Sequence, residues 1–180
     1  MNIKNIILTK IKEHNYSKYI KEHKENIDRA FYEMVMCPDM EWIGWDDELC
    51  YQLKQRVDKH DDSKYSEEEF DAYRKFYHPI SQEEKENAKE DFDKAWEHHW
   101  QTNDHHWQNR QNDNAETMTI EQQLACLENV LDWMAMGYKF NDRPYKYYER
   151  NKDTIIMPKI QKDFIEKVIY EGIDKQYIRR

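Results

Sequence analysis

The apolar positions of this chain step by three and four residues, the spacing that gathers them on one face of a helix. Ile20, Ile27, Phe31 and Met34 make the first such stripe, and His23 lies on it. Ser17 is placed to cap this helix, which is predicted to run to about Met36 and to be ended by Pro38. Upstream, residues 1–13 fit either a short helix or an extended lead-in. Residues 39–46, with Trp42, Gly44 and Trp45, read as a loop. Leu49, Leu53 and Val57 step by four along a second helix, and His60 continues their face at its end.

Ser66-Glu67-Glu68-Glu69 has the form of a capping box and predicts a third helix, carrying Phe70, Tyr73, Phe76 and Tyr77 and stopping before Pro79. Ser81-Gln82-Glu83-Glu84 repeats the form ahead of a helix with Ala88, Phe92, Ala95, Trp96 and His99. Residues 101–118 are rich in Asn, Asp and Gln, show no apolar period and read as a loop. Thr119-Ile120-Glu121-Gln122 opens the next helix, with Ile120, Leu124, Leu127, Leu131 and Ala135 inward, Glu128 and Asp132 beside them, and Gly137 as its stop. A last helix is predicted from about Pro158 to Tyr170, with Ile160, Phe164 and Val168 on one face and Gly172 ending it. The sum is an all-α, single-domain helical bundle of about six helices over residues 1–180.

Composition supports that reading. The chain has only three Gly and four Pro, whereas all-β folds need frequent turn residues. Charged residues reach 36%, but aromatics at 14% supply burial that disordered chains lack. A net charge of −9 comes with no basic stripe, so duplex nucleic acid is not an expected partner. A small anionic substrate is compatible, provided a metal supplies local positive charge. Cys37, Cys50 and Cys126 form no CxxC pair, which argues against a zinc knuckle or disulfide framework and fits a reducing cytoplasm. The apolar run near Ile3 to Leu8 is too short for a signal-peptide core, and no window is long enough to span a membrane. A soluble, cytoplasmic protein is expected.

The candidate chemistry lies in the histidines. In order along the chain stand His23, the pair His60-Asp61, the doublets His98-His99 and His105-His106, and then Asp132. Imidazole and carboxylate together suit Mn, Fe, Co, Ni or Zn. Any one of these histidines alone reads as an ordinary hydrogen-bonded core residue. Several inward histidines and acids in one small domain need compensation, which one or two divalent ions provide. The sequence leaves open which member of each doublet is a ligand. Glu128, one turn before Asp132, is placed to orient a ligand histidine through its ring N–H, with a surface carboxylate as the alternative. Trp96, Trp100, Trp107 and Trp133 fit either stacking on a nucleobase or ordinary core packing. No Gly-rich phosphate loop exists.

The order His23, His60-Asp61, Asp132 resembles the HD superfamily of metal-dependent phosphohydrolases. Lys64 matches that family's common lysine three residues after the Asp, while Ser63 stands where many members have Gly. The resemblance implies an all-α bundle with a metal held by His23, His60, Asp61 and Asp132. Members with extra histidines before the final Asp bind two metals, a role open here to His98 or His99 and to His105 or His106. It also implies that Asp61 bridges or orients a hydroxide, that Lys64 sits near a phosphate oxygen, and that the substrate is a nucleotide or another small phosphate ester. Some HD-fold relatives instead hold two irons with four histidines and two aspartates and activate oxygen, a ligand count this chain can supply. A non-catalytic, metal-stabilised phage or host interaction protein is the third expectation. The segments Ala95-Trp96-Glu97-His98-His99-Trp100, His105-His106-Trp107 and Asp132-Trp133-Met134-Ala135-Met136-Gly137 also resemble a family of small uncharacterised phage and bacterial proteins, which implies no activity.

Overall fold

A computed structural model describes residues 2–113 and 116–178. Met1 of the N-terminal lead-in, and Asn114 and Ala115 of the 101–118 segment, lie outside the described residues. The fold is all-α: among the described residues there are ten α-helical segments, two 3-10 turns, one π segment and no strand. The chain forms two compact units, Met1–Glu22 with Asp61–Asn103, and His23–His60 with Asp104–Arg180.

Helix α1 (Ile3–Val35) is a single run of 33 residues. The expected cap at Ser17 is not used. No Gly or Pro interrupts the first 37 residues, so nothing stops a helix from propagating through a serine. Helix α2 (Asp47–Lys59) starts at Asp46, whose side chain accepts from the Leu49 N–H at 2.7 Å. The 39–46 loop contains a 3-10 turn, Pro38–Ile43, closed by Gly44 at φ 73.

In the first unit, α3 (Phe70–Tyr77) follows a 3-10 turn, Asp62–Tyr65. The predicted capping box at Ser66 does not form: the helix begins later, and Glu69 turns its carboxylate to other partners, described below. The helix expected after Ser81 is two, α4 (Gln82–Asn87) and α5 (Lys89–Thr102), separated at Ala88. The Ser81 cap itself is present, accepting from the Glu84 N–H at 3.1 Å. Tyr16, Ile20, Tyr73 and Ala95 are the buried centre of this unit, with Phe70, Phe92 and Trp96 packed on it. Arg74 is buried, and Asp71 at 3.0 Å and Glu84 at 2.8 Å compensate its charge.

The second unit is built around α7 (Ile120–Phe140), which has buried residues on nearly every side from Leu124 to Ala135. Its Thr119/Gln122 capping box is complete. Ile120, expected inward, is 48% exposed because it sits in the first turn, beyond the packed region. The helix passes Gly137 and stops at Asn141, which takes the left-handed conformation at φ 53. Two elements were not anticipated: α6 (Trp107–Arg110) inside the 101–118 segment, and α8 (Pro144–Asn151), begun by Pro144. The last predicted helix is α9 (Lys159–Lys167), which continues as a π segment, Val168–Ile173, and then α10 (Lys175–Ile178). Ile27, Met34, Leu53, Leu131, Ile165 and Ile169 anchor one continuous core.

Gly172 does not simply end a helix; it lets the backbone approach Met40. A Cβ there would stand 2.2 Å from the Met40 sulfur, and Met40 is fully buried. Gly172→Ala is therefore expected to destabilise by about 1–3 kcal/mol, as overpacking does. Urea unfolding measures it; an unchanged midpoint would mean that Met40 repacks without cost.

Candidate metal centre

Within the second unit, three elements bring His23, His60 and Asp132 together. His23 follows Ile20 by one turn on α1 and precedes Ile27 by another, so it faces inward and is 5% exposed. His60 closes α2 as its C-cap, with φ −50 and ψ 127, and is 2% exposed. Asp132 lies on α7 and is half-buried. His23 Nε2 is 3.3 Å from His60 Nε2 and 3.2 Å from Asp132 Oδ1. One donor atom from each of the three lies within 4.8 Å of the others.

Those separations fit an ion. Donors about 2.0–2.1 Å from a metal stand roughly 2.8–3.4 Å apart when they subtend angles between square and tetrahedral. Glu128 decides which atom of His60 is offered. Its Oε1 accepts from His60 Nδ1 at 2.8 Å. An ionised carboxylate can only accept, so the ring proton sits on Nδ1 and the neutral ring has its lone pair on Nε2, the atom facing His23. A carboxylate behind a histidine that presents its other nitrogen is the arrangement that orients metal ligands and raises their basicity.

Glu128 serves a second ring. His105, 2% exposed, places Nδ1 at 3.3 Å from the same Oε1, and its ring lies 4.4 Å from that of His60. Arg56 donates to Glu128 Oε2 at 2.7 Å and also pairs with Asp104. Burial pushes the Glu128 carboxyl up, but His105 and His60 outweigh it and hold it well below the ordinary carboxylate range. His60, His105 and Glu128 also form a group that can hold a metal, but with both Nδ1 atoms turned to Glu128 this carboxylate is better placed behind the ligands than among them. His106 caps α6 and is half-buried.

Within the first unit stand the remaining candidates. Asp61 is 2% exposed and takes the left-handed conformation at φ 58. Such a backbone costs about 1–2 kcal/mol for most residues and is best tolerated by Asn and Asp. Its Oδ2 accepts from Lys64 Nζ at 2.5 Å, and Oδ1 is 3.2 Å from His99 Nε2. Lys64, expected near a phosphate oxygen, is thus engaged by Asp61 here, with Nζ 6.0 Å from the Tyr73 ring. His99 side-chain exposure is 1% and that of His98 is 35%, so His99 is the inward member of its doublet. Burial alone would lower the His99 pKa, but Asp61 and Glu69 raise it above its ordinary value. Of the tryptophans, Trp133 is buried in the second unit's core and Trp107 packs against it, while Trp96 belongs to the first unit's cluster.

Sequence reasoning missed Glu69. It is fully buried, with Oε1 2.8 Å from His98 Nδ1 and Oε2 2.8 Å from His99 Nδ1. The signal was its position one turn before Tyr73, on the face that Tyr73 and Phe76 continue.

These features define an all-α protein with buried His, Asp and Glu groups positioned to hold a metal ion. Among the described residues no helix is long and apolar enough to cross a membrane. The chain belongs to a family described as "Family of unknown function (DUF5662)", which it matches over residues 12–171. No curated protein and no solved structure matches it.

Proposed function

We propose that this protein is a metal-dependent phosphohydrolase of the HD type, acting on a nucleotide or another small phosphate ester through a metal-activated water. The observation that carries the reading is His23 Nε2 standing 3.3 Å from His60 Nε2 and 3.2 Å from Asp132 Oδ1, with Glu128 fixing the His60 ring. Two neutral imidazoles and one carboxylate leave a divalent ion with net positive charge, which favours an anionic substrate on a chain whose formal charge is −9. Mixed nitrogen and oxygen donors suit Mn, Fe, Co, Ni or Zn. When bound, such an ion supplies a water whose pKa is lowered from about 15.7 toward about 7.

The chain's own residues hold and orient. Glu128 keeps the His60 proton on Nδ1, Asp132 provides the anionic donor, and Arg56 donates to the far oxygen of Glu128 and holds that carboxylate in place. In the first unit, His99 Nε2 and Asp61 Oδ1 stand 3.2 Å apart, again a separation two donors on one ion adopt.

The test is phosphate release from a panel of nucleotides and simple phosphate monoesters by protein loaded in turn with Mn, Fe, Co, Ni and Zn. Release that a chelator stops and added metal restores is the expected result. Metal-loaded protein that releases no phosphate from any of them would sink the hydrolase reading, and oxygen consumption by the iron form would then move it to an oxygenase.

A further inference from the structure

We infer that Glu69 is a positioning residue for the histidine doublet, doing in the first unit what Glu128 does in the second. The inference rests on the metal-site reading above. Each of these two buried carboxylates holds two imidazoles by their Nδ1 atoms: Glu128 holds His60 and His105, and Glu69 holds His98 and His99. Glu69 assigns one oxygen to each ring, both at 2.8 Å. Neighbouring residues on a helix diverge by roughly 100°, so His98 and His99 reach a common acceptor only because that acceptor is bidentate and lies between them.

The consequence falls on His99. With its Nδ1–H held by Glu69, His99 turns Nε2 to Asp61 Oδ1, 3.2 Å away, and that nitrogen is the one it would offer to an ion on giving up its second proton. Ser63 Oγ, at 3.1 Å from the same Nδ1, is a longer and uncharged alternative. The Glu69 carboxyl fits this role. Burial pushes it up, yet hydrogen bonds from His99, Ser63 and His98 outweigh that and hold it below the ordinary carboxylate value. A fully buried acid whose two oxygens both go to imidazole N–H groups is a fixture for those rings rather than a helix cap. His98, at 35% side-chain exposure, is the outward ring of the pair.

The decisive variant is Glu69→Gln, which keeps the shape. Its amide oxygen can still accept from one ring, but its NH2 faces the other Nδ1 and favours the wrong tautomer there. The measurements are nitrogen-15 shifts of the His98 and His99 rings in the full chain, and affinity for Mn2+ or Zn2+ alone. In the wild type at pH 8 both rings should carry the proton on Nδ1. In Glu69→Gln one of them should lose it, and metal affinity should fall by about 10–100-fold, the usual effect of removing a carboxylate behind a ligand histidine. Unchanged tautomers with unchanged affinity would overturn the inference. If the wild type binds no metal, the metal-site reading fails, and the shifts still decide whether Glu69 orients the rings. If Glu69→Gln does not fold, the wild-type shifts decide alone: either ring protonated on Nε2 instead of Nδ1 would contradict the assignment.

Discussion

On the proposed metal-site reading, exchanging Asp132 for asparagine is expected to abolish tight metal binding, and with it any metal-dependent phosphate release, while leaving the fold in place. Asn has the same shape, so α7 and its packing need not change. What is lost is the anionic donor 3.2 Å from His23 Nε2. An amide oxygen is a weak ligand for these ions, and an amide NH2 turned inward is repelled by them. Removing a carboxylate that only supports a ligand already costs about 10–100-fold in affinity, so loss of a ligand itself should cost about 100-fold or more. Asp132 is half-buried and Asn keeps its shape, so stability should move by no more than about 1 kcal/mol. Titration with Mn2+ followed by urea unfolding separates the two effects. Full metal affinity in Asp132→Asn would remove Asp132 from the site.

The largest effect on stability is expected from Glu128→Ala. This change strands three buried or half-buried donors at once: His60 Nδ1, His105 Nδ1 and Arg56 Nε. Breaking a buried charge pair by deleting one partner costs about 3–5 kcal/mol, because the other charge stays behind without compensation. For a chain of this size that is on the order of 10 °C in melting temperature. The cost does not depend on a metal, and it should persist in the presence of a chelator. Glu128→Gln should fall between the two, since its oxygen can still accept from one ring while its NH2 opposes the other. A melting temperature within a degree or two of wild type for Glu128→Ala would mean that these rings and Arg56 find other acceptors.

Much of this was legible in the chain, for reasons that differ by element. His23 was readable because it lies one turn from Ile20 and one from Ile27, and Asp132 because it flanks the apolar run of α7. The Thr119 and Ser81 caps were readable because capping is local chemistry. The Ser66 box failed for a tertiary reason: the glutamate it needed is bound to two histidines that lie about thirty residues further on. Glu69 itself was hidden in the run Glu67-Glu68-Glu69, which reads as a solvated charge cluster until the structure shows that only its third member is buried. The His98-His99 doublet was ambiguous because the face of α5 that is buried depends on its packing against α3, which periodicity over one short helix does not fix. The single-helix reading of 81–99 missed the interruption at Ala88, for which the structure offers no evident physical cause.

The most direct test of the account is elemental analysis of the tag-free protein after incubation with Mn2+ or Zn2+ and exhaustive dialysis, with Asp132→Asn treated in parallel. At least one ion retained per wild-type chain, and a clear loss in the variant, are the expected results. A wild-type protein that retains none, at any of the metals tried, would contradict the metal-site reading and leave the buried histidine and carboxylate groups as structural hydrogen-bond networks.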